Sequence, residues 1–424
     1  MKDSVERRNL VDAACLALGA AALAYLVLKM TQAGTAPGYD LRFFWAAGRL
    51  WLQGINPYAE GYDALAAQMI TSGNVPELWA YPPHFYPIAA FLGLFDLNVA
   101  SWIWAAANVA MLIASAWLVA RVADAPGPAA QPIGALTTGL DEAARRRRFC
   151  LLLFALAVLE GAAITLVTGQ ASILAFFGVS LFAFGLARGV GSAAIAGLAI
   201  ASLKPQIGAA FVLMALSFGA EGRRAVIGAV VVSALAAAPA LILSIAAPFE
   251  WLRNVGEYDV RFPRGSAAEA MTGVRVLIKD GFGLDIGTMT ATLAALGAVG
   301  AVLALFATAW RAARDVETVV AAVSLTLVAL APLHLYDLVL VGATLMWLAR
   351  EADARMLGLA AFGAALMWRA EDVADRTGFH SPIADVFAGS RLATIGALVM
   401  ALALFWALRA RAARQASAAS MALP

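Results

Sequence analysis

Charge is scarce in this chain. Of its 424 residues only 14% are Asp, Glu, Lys or Arg, against 62% hydrophobic, and the mean hydropathy is +0.80. A soluble domain carries about a quarter charged residues, so this composition excludes one. Cysteine is rarer still: Cys15 and Cys150 fall within or beside apolar runs, which leaves no disulfide framework and no zinc spacing. The net charge of +2 is too small to point to nucleic acid. A P-loop, a Rossmann glycine fingerprint, an HExxH pair and a nucleophile elbow are all missing. No cofactor is called for, and the acids of the loops form no divalent-metal cluster.

What is present is apolar sequence in lengths near the ~20 residues that cross a bilayer. Such runs cover about residues 9–30, 100–121, 149–167, 170–187, 225–247, 290–311, 317–333, 335–349, 355–369 and 390–410. A shorter one covers 82–96, and 190–219 suits two short passes broken at Lys204-Pro205. The expected fold is an all-α polytopic membrane protein, one domain over 1–424 with roughly a dozen membrane helices. The run behind Lys2, Arg7 and Arg8 has full span length and no convincing cleavage site, so it reads as a retained first helix.

Basic residues in short loops set orientation. Arg7-Arg8, Arg145 to Arg148, Arg188, Arg223-Arg224, Arg311 with Arg314, Arg350 with Arg355 and the tail from Arg409 all belong inside. Residues 31–81, about 248–289, the turn near His334 and 370–389 then lie outside. The cluster at Arg145 to Arg148 faces inward only if 82–96, "YPPHFYPIAAFLGLF" with its prolines, dips into the membrane without crossing. The Pro/Ala/Gly loop over 122–148 is cytoplasmic on this scheme, and Lys204 lies in the outer half.

The first external loop holds "GYDLRFFWAAGRLWLQGINPYAEGYD", Gly38 to Asp63, with two aspartates, one glutamate, two arginines and seven aromatics. Leu41, Trp45, Gly48 and Leu52 share one helical face, and Arg42 and Arg49 share another. The spacing predicts an amphipathic helix in the outer interface, its aromatics at headgroup depth and Asp40 at its N-cap. A helix cap and a carboxylate general base are both open to Asp40, and they are compatible. His334, in "APLHLYDLVL", reads as a polar interface residue or as a proton carrier or phosphate ligand, with Asp337 one turn later able to orient its ring. His84 and His380 read as structural. Lys204 is a cation at a helix break in an apolar run, a setting that suits a phosphate. Glu160 is the one acid of its helix and either neutralises a cation such as Lys204 or marks a proton path.

Five segments occur in order: "YD…FFWAAGRLWLQGINPY" (Tyr39 to Tyr58), "YPPHFYPIAAFLGLF" (Tyr81 to Phe95), "TGQASIL" (Thr168 to Leu174), "GLAIASLKPQ" (Gly197 to Gln206) and "LHLYDLVLV" (Leu333 to Val341). Together they resemble glycosyltransferase family 87, membrane enzymes of the C-type fold similar to polyprenol-phosphate-mannose-dependent mannosyltransferases. The resemblance implies a polyprenyl-phosphate-linked sugar donor, a lipid-linked or glycan acceptor, inversion, and a site facing the exterior of a bacterial inner membrane. It implies Asp40 and His334 as catalytic residues and puts Gln170 and Lys204 at its glutamine and lysine positions, lining the donor site. Arg42 joins them as a candidate for the donor phosphate, and Tyr81, His84, Asp337 and Glu160 are further site candidates. The segment from Phe249 to Gly287 and the chain beyond about 345 carry no match to it, so the acceptor is undefined. The competing class is a transporter or lipid flippase using Glu160 and Lys204 as an intramembrane charge pair.

Overall fold

The structure is a computed structural model, and it describes residues 2–70, 78–124, 142–257, 271–310, 315–348, 354–367 and 389–421. His380, Arg311, Arg314, Arg350 and most of the 122–148 loop lie outside the described residues. The described residues are helical almost throughout. Helix α1 spans Lys2–Thr35, α2 Tyr39–Leu52, α3 Tyr62–Met69, α4 Tyr86–Gly93 and α5 Leu97–Ala123. Then come α6 Glu142–Val158, α7 Glu160–Thr168, α8 Ser172–Arg188, α9 Gly191–Ala201, α10 Pro205–Ser217, α11 Gly219–Leu243 and α12 Ala247–Gly256. A two-residue strand β1, Met271–Thr272, precedes α13 Val274–Phe282, α14 Thr288–Ala307 and α15 Val316–Leu330. Strand β2, Leu333–His334, leads into a 3-10 helix Leu335–Ala343, then α16 Thr344–Leu348, α17 Ala354–Leu366 and α18 Gly389–Met421.

Among the described residues five helices are long and apolar enough to cross a membrane, α1, α5, α11, α14 and α18. The pair α6 and α7, bent by 63° at Leu159, has the length and composition of a broken span or a re-entrant loop, and there are five shorter apolar helices besides. This is an all-α polytopic membrane protein. Close helix contact comes from small residues, as expected where lipid supplies no hydrophobic drive between helices. A Cβ on Gly178 or Gly197 would strike the facing backbone where α8 meets α9, and one on Gly48 would strike Ala89 where α2 meets α4.

Ion pairs give the bundle two distinct ends. Arg147 pairs with Asp12 and Arg148 with Asp124, while Arg188 Nη2 donates to the Arg121 carbonyl at 2.7 Å. The starts of α1 and α6 therefore share one end with the C-terminal ends of α5 and α8. At the opposite end Ser101 Oγ, early in α5, donates to the Ala33 carbonyl at 2.6 Å. Among the described residues between α1 and α6, only α5 has the length and composition of a membrane span. The intervening α4 has eight residues, about 12 Å of helix against a hydrocarbon core of about 30 Å, and it packs on α2.

The first loop is less interfacial than its pattern suggests. Helix α2 buries Leu41, Phe44, Trp45, Ala46, Ala47, Gly48, Leu50 and Trp51, on more than one face. Phe44 meets the rings of Tyr81 and Phe85 at 4.9 Å and of Trp104 at 5.7 Å. Phe44, Trp45 and Trp51 thus pack inside the protein, and Leu52, placed by spacing on one face with Leu41, Trp45 and Gly48, is exposed while those three are buried. Contacts from α4, α5 and the 78–86 segment surround α2, so a single-face periodicity understates its burial. Its N-cap is Gly38, and Asp40 sits inside the first turn, which corrects the cap assignment.

Candidate functional site

Asp40 is placed by a glycine contact. A Cβ on Gly38 would fall on the Thr168 carbonyl, so the start of α2 lies directly against the end of α7. Gly169, at φ +74, closes α7 in the left-handed conformation, which glycine adopts without steric cost. Its carbonyl accepts from Trp104 Nε1 at 2.7 Å. The chain then delivers Gln170 and Ser172 beside α2. Gln170 is buried, and its Oε1 accepts from the Tyr81 hydroxyl and from the Ala171 N–H.

A break and a turn bring in the rest. Lys204 caps α10 in extended conformation ahead of Pro205. Its Nζ donates to Asp337 Oδ1 at 2.5 Å and to Ser172 Oγ at 2.8 Å. Ser172 Oγ in turn donates to Asp337 Oδ1 at 2.7 Å. All three side chains are buried, and the ammonium stands 4.5 Å from the Tyr336 ring centroid. The acid bonded to Lys204 is Asp337, where the charge-pair reading had expected Glu160. Glu160 instead opens α7 just after the bend at Leu159.

His334 is not at the end of a regular helix. It lies in β2, paired with Met271, and caps the 3-10 helix. Nine residues of 3-10 helix is long for that geometry. A Cβ on Gly161 would meet the Val339 backbone, so α7 presses on this segment. Asp337 orients His334 through the main chain: its Oδ2 accepts from the His334 N–H at 3.3 Å. The Asp337 N–H donates back to the imidazole. The ring stacks on Tyr336 at 4.8 Å.

The electrostatics follow from this packing, at groups outside the membrane-spanning helices. Asp40 keeps part of its surface accessible, yet protein crowds it, and desolvation pushes its carboxyl up to about 7 against the opposing pull of Lys204 and a hydrogen bond from Thr168. Burial pushes the His334 imidazole down to about 4, with Asp337 opposing and Lys204 assisting. His84 is held down to about 4 by burial as well. Its Nε2 lies 3.1 Å from Ser202 Oγ, whose own proton goes to the Ala199 carbonyl at 2.6 Å, so the imidazole is the donor. His84 thus has a hydrogen-bond partner within the protein. Arg42 lies half-buried two residues beyond Asp40.

The structure therefore gathers Asp40, Gln170, Tyr81, Lys204, His334 and Asp337 at the bundle end opposite the arginine pairs. Ser172, Thr168 and Tyr336 complete the group. Each lies within a motif already singled out, yet a hydroxyl beside a more conspicuous Gln, Lys or His gives no signal of its own.

Comparison with known proteins matches residues 79–335 to the family model of glycosyltransferase family 87. The chain belongs to that family. The match takes in Tyr81, His84, Glu160, Gln170, Lys204 and His334, stops two residues short of Asp337, and leaves Asp40 outside. No curated protein and no solved structure matches the chain. As a family 87 member it is a membrane glycosyltransferase, with a sugar donor and an acceptor as substrates.

Proposed function

We propose that this enzyme transfers a sugar, mannose by the family resemblance, from a polyprenyl-phosphate-linked donor to a hydroxyl of a lipid-linked or glycan acceptor. The reaction inverts the anomeric centre and takes place at the outer face of a bacterial inner membrane. The observation that carries the reading is Asp40: a carboxyl raised to about 7, at the end of the bundle away from the arginines. A base poised near the working pH is the one that proton transfer needs. Positive-inside orientation turns that end outward.

In the step proposed, the acceptor oxygen bonds to the anomeric carbon as its proton passes to the Asp40 carboxylate. The bond from that carbon to the phosphate oxygen breaks, and polyprenyl phosphate departs with the electron pair. Groups that stabilise the growing negative charge on the phosphate lower the barrier. Lys204, His334 and Arg42 are the candidates, with Gln170, held by Tyr81, against the sugar-phosphate. Lys204 acts here as part of a pair with Asp337, whose charge offsets part of the Lys204 field at Asp40.

The test is transfer of labelled sugar from polyprenyl-phosphate-mannose by the purified protein in lipid. Product formation that Asp40→Asn removes supports the reading. Transport of the lipid without a new glycosidic bond overturns it.

A further inference from the structure

The exchange of hydrogen bonds between His334 and Asp337 fixes more than an orientation. In this capping box the ring of His334 accepts from the Asp337 backbone N–H, while Asp337 Oδ2 accepts from the His334 backbone N–H at 3.3 Å. A ring nitrogen that accepts carries no proton. The proton of a neutral imidazole then sits on the other nitrogen, and the tautomer is set by a main-chain amide, which cannot itself titrate.

The surroundings oppose a cation at this position. Lys204 lies nearby with its charge directed at Asp337, and His334 stacks on Tyr336, the same ring that faces the Lys204 ammonium. Among the described residues the charged and titratable groups at His334 are Asp337 and Tyr336 from its own segment and Lys204 from the break between α9 and α10. The Asp337 charge is taken up by Lys204 and Ser172. On the strand side His334 pairs with Met271, which is apolar.

We infer that His334 serves as a neutral, tautomer-locked hydrogen-bond donor to an anionic oxygen of the substrate, and that the Asp337 backbone amide is the positioning group that locks it. This rests on the reading above for the identity of that oxygen, the departing phosphate. A neutral N–H stabilises the second charge as it develops on the departing phosphate without first binding the monoanionic diester of the ground state tightly, which is the differential interaction that raises kcat. The inference excludes two other roles for the ring, proton carrier and imidazolium ligand.

Two measurements on the full-length protein in lipid nanodiscs test it. In the first, nitrogen-15 histidine resonances are followed without substrate, those of His334 being the ones lost in His334→Gln. Between about pH 5 and 8, where an ordinary imidazole titrates, one ring nitrogen should stay protonated and the other bare. Protonation of both within that range, or averaging of two tautomers, overturns the inference. In the second, polyprenyl-phosphate-mannose is the donor. His334→Gln, which keeps an uncharged N–H, should retain at least tenfold more kcat than His334→Leu, with the acidic limb of kcat/KM unmoved. Equal loss in both variants, or disappearance of that limb, overturns the donor role. A wild-type protein that moves no sugar from this lipid refutes the transferase reading alone, because the tautomer is read without substrate.

Discussion

Asp337 and Lys204 meet in a buried pair, Oδ1 to Nζ at 2.5 Å, with the Ser172 hydroxyl closing a triangle between them. Residues from three distant parts of the chain are joined there: the first residue of α8, the break before α10 and the 3-10 helix after β2. Removing one partner of a buried pair strands the other charge, at a cost of about 3–5 kcal/mol. Asp337→Leu and Lys204→Met should each lower the melting temperature sharply in detergent. The double variant should recover much of the loss, because two apolar side chains of similar volume leave no stranded charge. Melting unchanged in either single variant would show the pair to be dispensable.

Asp40 should dominate the pH dependence. As a base it works deprotonated, so kcat/KM should rise with pH through about 7 and level off above. Asp40→Asn should cost on the order of 10²-fold or more in kcat and leave no limb at that position. Stability should run the other way. A carboxyl whose folded pKa is raised favours the folded state while protonated, below the unfolded value of 3.8, and that contribution fades as pH climbs through about 7. Asp40→Asn should therefore melt higher than wild type at pH values above 7, and the gap should narrow in acid. A pH-independent difference in melting would refute the raised pKa.

Hydropathy made the helical membrane architecture legible, because a span is written in consecutive residues. The proline at Lys204-Pro205 marked a break, and the break is there. Partner choice was less legible. Lys204 could be seen to need an anion, yet Glu160 and Asp337 were equally available from sequence, and only the approach of α7 to the 3-10 helix at Gly161 and Val339 settles where each acid goes. The cap assignment of Asp40 missed by two residues because Gly38 is chosen for its contact with Thr168, and such a long-range reason leaves no local pattern.

Orientation gives a further test. The pairs of Arg147 with Asp12 and Arg148 with Asp124 put the start of α6 at the same end as the start of α1. With arginines inside, a cysteine placed at Ala143 in a background lacking Cys15 and Cys150 should resist an impermeant thiol reagent added to intact cells. It should react once the cells are opened. Labelling in intact cells would turn the whole bundle over and put the site on the cytoplasmic face.

The contact of Gly38 with Thr168 is the most economical place to separate geometry from chemistry. No side chain at Gly38 takes part in the proposed reaction, but a methyl there would collide with the Thr168 carbonyl, which is backbone and cannot rotate away. In Gly38→Ala the first turn of α2 must shift off α7 and carry Asp40 with it, and a displacement near 1 Å can cost on the order of 10²-fold in rate. The carboxyl should also regain solvent, so the acidic limb of kcat/KM should move below about 7, toward the ordinary carboxylate value. Gly256→Ala, where a Cβ meets nothing within 4 Å, is the control and should leave rate and limb in place. A lower rate in Gly38→Ala with an unmoved limb would mean that the variant acts elsewhere, and that Asp40 does not owe its raised pKa to this contact.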